Sequence, residues 1–244
     1  MSDQILIHGL QYGIYLLEAV LCVLLVSRGA WRHLKGLFLY VVLLFTLDGV
    51  ARSAALSYFG QTSTQYAYLY WLTDVVLTTG AFLLTCSFFW RACAREEKLW
   101  RFSRLLLLFV FLSVGAISAL ALTRHYTHLF TMFIVEFSQN LYFACLILNT
   151  MLYLMIQQLA IDDDELGLLV CGLGIQFGGE AAFLALYHLT NAESFARVLA
   201  TFLSPACTLG MLLTWIYAIG KTPEAVPVPS ELGKQASLVE VVSD

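Results

Sequence analysis

Two apolar stretches decide the fold: Leu129–Met155 (LFTMFIVEFSQNLYFACLILNTMLYLM) and Leu166–His188 (LGLLVCGLGIQFGGEAAFLALYH). Each is long enough to cross a hydrocarbon core, which takes ~20 residues of α-helix. The first stretch carries Glu136 and the second carries Glu180. Charged groups within a span are tolerated only where they face a bundle interior or a cavity. The two stretches therefore predict spanning helices whose polar side chains point inward.

The composition of the whole chain indicates the same environment. Of 244 residues, 60% are hydrophobic and only 12% are charged, and the mean hydropathy is +0.79. A soluble domain carries about 25% charged residues. The net charge of −4 argues against a nucleic-acid partner, which would need a basic surface. We therefore expect a non-enzymatic integral membrane protein. Its first partner is the lipid bilayer in which it is embedded.

Five further stretches of the chain are apolar and long enough to span. The seven predicted spans are Ile5–Val26, Leu37–Phe59, Tyr66–Trp90, Leu105–Leu122, Leu129–Met155, Leu166–His188 and Phe195–Ile219. They predict an all-α fold, an antiparallel bundle of seven transmembrane helices over residues 1–220. The segment 221–244 is rich in proline and small polar residues, so a disordered cytoplasmic tail is expected there.

The distribution of lysine and arginine predicts the orientation. Arg28, Arg32 and Lys35 follow the first span, and the loop after the third span holds Arg91, Arg95, Lys98, Arg101 and Arg104. Such residues mark the cytoplasmic side of a membrane protein. The N-terminus is therefore predicted to lie outside and the C-terminus inside, in a multi-pass protein of the bacterial inner membrane.

The loop before the sixth span is acidic, with Asp162, Asp163, Asp164 and Glu165 in succession. Either Asp162 or Asp163 is expected to cap the next helix, where acids also complement the positive helix end. A docking site for a basic protein partner is the alternative.

Ionisable side chains on four spans fall at one predicted depth, roughly 10–16 Å from the outer end at 1.5 Å per residue. Polar neighbours lie one helical turn from several of them, so each helix shows a polar stripe. We predict that these stripes meet in one outward-facing pocket that binds a small-molecule ligand. The predicted binding residues are Asp48, Arg52, Asp74, Thr78, Glu136, Asn140, Gln176 and Glu180.

The charges in this pocket do not balance, because four acids share one arginine. One interpretation is a buried structural network in which Arg52 neutralises Asp48 and one more acid. In the other, the surplus acids receive a cationic ligand or exchange protons. Glu18 lies deeper, and Asn149 and Tyr153 are predicted to reach it as structural partners.

Glycine is frequent in the sixth span. Gly174 and Gly178 form a GxxxG pair, which allows two membrane helices to approach closely. We expect the pair to serve packing inside the bundle, with a dimer face as the alternative.

The stretch Asp74-Val-Val-Leu-Thr-Thr-Gly80 resembles the third-helix pattern of microbial rhodopsins. That family needs a lysine in mid-span seven to bind retinal, and this position holds Leu203, Ser204, Pro205 and Ala206. Every lysine of the chain lies at or beyond a helix end: Lys35, Lys98, Lys221 and Lys234. Covalent retinal is therefore excluded, and no cofactor is expected.

A second resemblance covers the two deciding stretches. Glu136-Phe-Ser-Gln-Asn140 and Gly172-Leu-Gly-Ile-Gln-Phe-Gly-Gly-Glu180 are similar to an uncharacterised group of bacterial seven-helix membrane proteins. The resemblance implies the seven-helix architecture and carries no function.

Three functions remain in competition. The first is a receptor-like sensor or an accessory subunit of a membrane complex, which passes its signal to a protein partner at the cytoplasmic loops or tail. The second is a small-solute or proton-coupled transporter, which requires Glu18 to connect with the pocket through Asn149. An intramembrane enzyme ranks last, since hydrolysis needs a deep histidine or a metal. No metal site is expected. A metal site at His125 and His128, near the outer surface, is the alternative.

Overall fold

The computed structural model describes residues 2–60, 63–94, 97–122, 129–159, 163–189 and 194–221, with side chains for 9–60, 63–94, 99–120, 133–159, 163–183 and 202–221. These ranges contain helices and turns and no strand. Seven of the helices are long and apolar enough to cross a membrane, as a multi-pass membrane protein requires. The predicted all-α class and the number of spans are thus confirmed. The orientation in the membrane stays a prediction, and the predicted tail beyond Lys221 lies outside the described residues.

The spans follow one another with short connections. The helices are α1 (Ser2–Ser27), α2 (Lys35–Leu44), α3 (Ser53–Phe59), α4 (Thr64–Cys93), α5 (Glu97–Leu122), α6 (Leu129–Gln158), α7 (Asp164–Leu189) and α8 (Ser194–Lys221). A π-helical segment, Phe45–Arg52, joins α2 to α3, so that these three pieces form the second span. A short 3₁₀ turn, Ala30–Arg32, links the first two spans.

Local chemistry fixes several helix ends. Gly29 follows α1 with φ 67° and Gly60 follows α3 with φ 75°, a backbone region that glycine adopts without a steric penalty. Ser63 caps α4, because its side chain accepts hydrogen bonds from the backbone N–H groups of Gln65 and Tyr66. At α7, Asp163 accepts from the N–H of Leu166 at 3.0 Å, which confirms one of the two predicted caps.

The π-helical segment was not predicted from the sequence. Its middle residue, Gly49, lies against α1: a Cβ there would sit 3.6 Å from the Tyr15 ring and 3.8 Å from a carboxyl oxygen of Glu18. The wider turn of a π-helix changes which side chains face inward, and such turns are frequent at functional sites. The segment contains both Asp48 and Arg52, so it sets the direction of the main charged pair.

Polar side chains connect the spans to one another. Cys93 contacts Ser103 between α4 and α5, and the Asn140 amide donates to Ser118 between α6 and α5. The Asn149 amide donates to the Val170 carbonyl at 3.0 Å, joining α6 to α7. Because lipid offers no hydrogen-bond partner, these polar groups can form hydrogen bonds only inside the bundle.

One end of the bundle is fastened by charged groups. The guanidinium of Arg28, just after α1, donates to the carbonyls of Ile219 at 3.1 Å and Gly220 at 2.8 Å. These carbonyls belong to the last turn of α8, which lacks intrahelical donors for them. Lys221 pairs with Asp164 at 3.1 Å at the same end. The first and last spans are therefore held together, and the bundle is a closed ring of helices.

The glycines of α7 allow close contacts inside the bundle, but not as a GxxxG pair. A Cβ on Gly172 would lie 2.8 Å from the Trp215 ring of α8, and one on Gly174 would lie 2.9 Å from the Asn149 amide of α6. Gly178 has no such neighbour within 4 Å among the described residues. Trp215 also donates to the Leu169 carbonyl at 2.9 Å, so the Gly172 contact fixes how α8 packs on α7.

Replacing Gly172 with alanine should lower the stability of the protein, because the added methyl group displaces the buried Trp215. We expect a loss of ~1–3 kcal/mol, as for other overpacked cores. Thermal unfolding of the purified protein in detergent measures it. Gly167→Ala is the matched control on the same helix, since no neighbour lies within 4 Å of its Cβ position. Equal loss in both variants would contradict the proposed contact.

Candidate functional site

A cavity of about 400 Å³ opens into the bundle among six of the seven spans, α5 being the exception. Gln11, Ser53 and Leu56 are exposed and mark its opening between α1 and α3. Its inner wall consists of buried side chains, among them Tyr40, Leu77, Phe177 and Met211. The cavity is therefore half open, with a polar entrance and an apolar floor.

Arg52 is the charged centre of this cavity. Its Nη1 donates to Asp48 at 2.7 Å, and its Nη2 lies 3.7 Å from Asp74. Its Nε donates to the Thr73 hydroxyl at 2.8 Å. The guanidinium also lies 4.3 Å from the centre of the Tyr70 ring, a cation–π distance. Every nitrogen of Arg52 is thus engaged by the protein itself.

Glu180 is held differently, by neutral donors. The Gln176 amide donates to its Oε1 at 3.3 Å and the Ser204 hydroxyl donates to the same oxygen at 2.5 Å. No described residue donates to Oε2, and the Gln176 Oε1 is buried without a donor as well. Two acceptors on the α7 wall of the cavity therefore receive no hydrogen bond from the part of the chain that the structure describes.

Aromatic rings line much of the remaining surface. Five tyrosines contribute from four different helices: Tyr15, Tyr40, Tyr66, Tyr70 and Tyr142. Tyr142 packs edge to face against Phe177, with ring centres 6.3 Å apart. These rings give the cavity apolar walls with a negative face, which suits cations.

The structure brings five of the eight predicted binding residues together. Asp48, Arg52, Asp74, Gln176 and Glu180 all line the cavity. Whether they bind a ligand stays a prediction, but their convergence on one space agrees with the sequence argument.

Thr78, Glu136 and Asn140 do not join them. Thr78 is fully buried and donates its hydroxyl to the Asp74 carbonyl of its own helix. Asn140 is turned to Ser118 on α5. Glu136 is exposed, because it lies two residues from the buried Ile134 and two from the buried Ser138, which at about 100° per residue is the opposite side of α6. The polar stripe on α6 was assigned from polar spacing alone, whereas the buried apolar positions determine the inward face.

Several lining residues were not predicted as site residues, above all the tyrosines and Ser204. One signal was present in the sequence: Tyr66 and Tyr70 precede Asp74 at intervals of four, so all three share one face of α4. The other tyrosines come from distant spans, and only the packing brings them together.

Glu18 lies beside the π-helical segment and is fully buried. Neither carboxyl oxygen has a hydrogen-bond partner among the described side chains. The predicted link to Asn149 is absent, because that amide donates to Val170 instead, and Tyr153 is exposed. A Cβ on Gly49, the residue after Asp48, would lie 3.8 Å from Oε2 of Glu18.

At the other end of the bundle, the acidic loop is engaged within the chain. Arg91 makes a two-pronged contact with Asp163, at 2.9 and 3.0 Å, and reaches Glu165 at 2.7 Å. Asp164 pairs with Lys221, and His33 lies 3.6 Å from Glu165. These charges are therefore largely satisfied without an external partner.

Among the side chains that the structure describes, no group of three or more histidine, cysteine, aspartate or glutamate residues is placed to hold a metal ion. His125 and His128 lie outside the described residues. Comparison with known proteins finds no matching family model, no matching curated protein and no matching solved structure. The resemblance to a bacterial seven-helix group accordingly stays an expectation. Fold and cavity together define a class: helical multi-pass membrane proteins with a half-open polar cavity.

Arg52→Ala should destabilise the protein, because it leaves Asp48 and Asp74 without their cation. Breaking a buried ion pair costs about 3–5 kcal/mol, and we expect the lower end since Asp48 is partly accessible. Thermal unfolding in detergent measures the effect. Arg104→Ala, which removes an exposed arginine on α5, is the control and should change little. An unchanged melting temperature for Arg52→Ala would show that the network does not stabilise the fold.

Proposed function

We propose that this protein is a receptor-like membrane sensor whose cavity binds a small organic cation. One observation carries the proposal: the α7 wall of the cavity has acceptors to which no described residue donates. Glu180 Oε2 and Gln176 Oε1 receive no hydrogen bond from the described residues, while every nitrogen of Arg52 is already engaged. A ligand that donates hydrogen bonds and carries positive charge completes this arrangement.

The charge count supports the same ligand class. Asp48, Asp74 and Glu180 face the cavity with Arg52 as the cation among the described lining residues. An anionic ligand would add to an existing excess of carboxylates. A cation would instead lie near Glu180, on the side of the cavity that Arg52 leaves unneutralised.

Size and lining agree with an organic ligand. A volume of about 400 Å³ lies within the range of ~300–1,000 Å³ that is typical of small-molecule sites. Tyrosine and phenylalanine rings attract ammonium groups through their faces and also contact apolar parts of a ligand. An amine attached to a compact apolar body fits these surfaces better than a bare metal ion.

The sensor would pass its state to a separate protein. The basic loop after α4 is the stronger candidate contact, because the acids at the start of α7 are engaged by Arg91, His33 and Lys221. The predicted tail is the other candidate. Movement of α4 or α8 relative to α7 would change the cavity and would also displace the loop after α4 or the tail after α8.

Binding is testable with two aromatic probes of similar size and opposite charge. Phenethylammonium should raise the melting temperature of the purified full-length protein in detergent, and phenylacetate should not. Glu180→Gln should weaken phenethylammonium binding at least ~10-fold, or about 1.4 kcal/mol, because it removes the counter-charge. Isothermal titration calorimetry measures the affinities.

Glu136→Gln is the matched control for this experiment. It removes the same charge from the neighbouring span, but Glu136 is exposed and does not line the cavity. Its affinity for phenethylammonium should equal that of the unmodified protein. Equal stabilisation by phenylacetate, or equal losses in the two variants, would overturn the proposal.

A proton-coupled carrier is the second candidate, and Glu18 favours it. A fully buried carboxyl group without a hydrogen-bond partner is costly in a membrane and is typical of proton relays. It lies next to Gly49 of the π-helical segment, which also carries Asp48 and Arg52. Because Asn149 bonds to Val170, a carrier would use Glu18 as a step of a path that begins at Asp48 and does not pass through Asn149.

Transport into proteoliposomes distinguishes the two functions. A carrier should accumulate labelled phenethylammonium when a pH gradient is imposed, and Glu18→Gln should abolish the accumulation while leaving binding at the cavity unchanged. A sensor should show binding without accumulation in either form. Asn149→Ala is the control, since Asn149 bonds to α7 rather than to Glu18.

A further inference from the structure

A second cavity lies at the opposite end of the bundle, between the start of α2 and the end of α4. Its volume is about 440 Å³. Basic side chains line its rim, namely Arg32, His33, Lys35 and Arg91, and apolar ones line its inner part, namely Leu34, Leu37, Phe88 and Trp90. We call this space the basic groove. It is separate from the cavity of the proposed function and does not depend on it.

Two cations of the basic groove have no carboxylate partner among the described side chains. Arg32 and Lys35 are exposed, and neither forms an ion pair with any described residue. Arg32 contacts the face of Trp31 instead, at 5.5 Å from the ring centre. Arg91 is neutralised by Asp163 and Glu165, yet its Nη1 has no hydrogen-bond partner in the described part of the chain. The groove thus has positive charge on the exposed side chains of Arg32 and Lys35.

The backbone adds to this field. α2 begins at Lys35, and its capping residue Leu34 provides no side-chain hydrogen bond. The first N–H groups of a helix lack intrahelical acceptors and carry a partial positive charge. Because Lys35, Gly36 and Leu37 line the groove, these groups lie at its wall.

The level of the groove matches a membrane surface. Trp31 and Trp90 are 39% and 60% exposed at this end, and tryptophan is enriched where a helix leaves the hydrocarbon. Leu39, about one turn beyond Lys35 on α2, and Leu83, about two turns before Trp90 on α4, are 69% and 60% exposed, as lipid-facing residues are. A basic rim therefore lies directly above an apolar, lipid-facing surface on the same two helices.

We propose that the basic groove binds the headgroup of an anionic phospholipid. Its phosphate lies between Arg32 and Lys35, near the start of α2. Its acyl chains extend along the outward faces of α2 and α4. Charge complementarity selects the acidic headgroup, and the apolar surface below selects a lipid over a soluble anion.

The test uses the purified full-length protein with four variants. Native mass spectrometry counts retained lipid, and thermal unfolding is measured in micelles that contain phosphatidylglycerol, phosphatidylcholine or inorganic phosphate alone. Phosphatidylglycerol should be retained and should raise the melting temperature, whereas the other two additions should not. Arg32→Gln or Lys35→Gln should each weaken retention about five-fold, and the double variant about 25-fold, at ~1 kcal/mol for each cation.

Arg104→Gln is the fourth variant and the matched control. Ser103 contacts Cys93 at the end of α4, so Arg104 lies at the same end of the bundle, but it does not line the groove. It should retain phosphatidylglycerol as the unmodified protein does. The variants should all unfold at similar temperatures in phosphatidylcholine, which shows that they fold.

Three results would overturn the proposal. The first is equal retention of phosphatidylcholine and phosphatidylglycerol, which would mean that charge does not select the lipid. The second is stabilisation by inorganic phosphate alone, which would assign the groove to a soluble anion. The third is the same loss in Arg104→Gln as in the double variant, which would indicate a diffuse surface charge instead of a site.

Discussion

The guanidinium of Arg52 lies within contact distance of two carboxylates that would otherwise lie uncompensated inside a span. Water and counter-ions satisfy such groups at the surface of a soluble protein, but hydrocarbon does not. The second span adopts a π-helical turn where Asp48 and Arg52 occur, and α4 presents Thr73 and Asp74 to the same guanidinium. The arrangement of α1, α4 and α7 around this point leaves the half-open cavity. The constraint that produces the network therefore also shapes this cavity.

Much of the fold follows from the sequence because apolar length is a strong signal. Seven spans, the cap at Asp163 and the inward position of Asp48, Asp74 and Glu180 were all predictable from spacing and burial cost. The side of α6 that faces the bundle interior was not predictable in this way. Glu136 and Asn140 make a polar stripe, but Ile134, Ser138 and Leu141 form the buried face. A polar residue near the end of a span can lie outside the bundle. Its presence alone therefore does not show which face of the helix points inward.

Tertiary packing accounts for the other differences. The π-helical turn arises where Gly49 approaches Tyr15 and Glu18, a contact between spans that are separated by a loop. The GxxxG pattern predicted a pair, whereas Gly172 and Gly174 each meet a different helix. Spacing within one helix can indicate which residues share a face, but it does not indicate which helix will meet that face. Tyr15, Tyr40 and Tyr142 could not be assigned to the cavity for the same reason.

The hydrogen bonds between Arg28 and the end of α8 have a consequence for biogenesis. The arginine and the carbonyl of Ile219 are 191 positions apart in the chain. A ribosome adding about 5–20 residues per second needs roughly 10–40 seconds to cover that distance. During this interval the earlier helices are already inserted, and the side of α1 that later contacts α8 stays exposed to lipid. Assembly of the cavity, which needs Ser204 from α8, is therefore not complete until α8 has been synthesised.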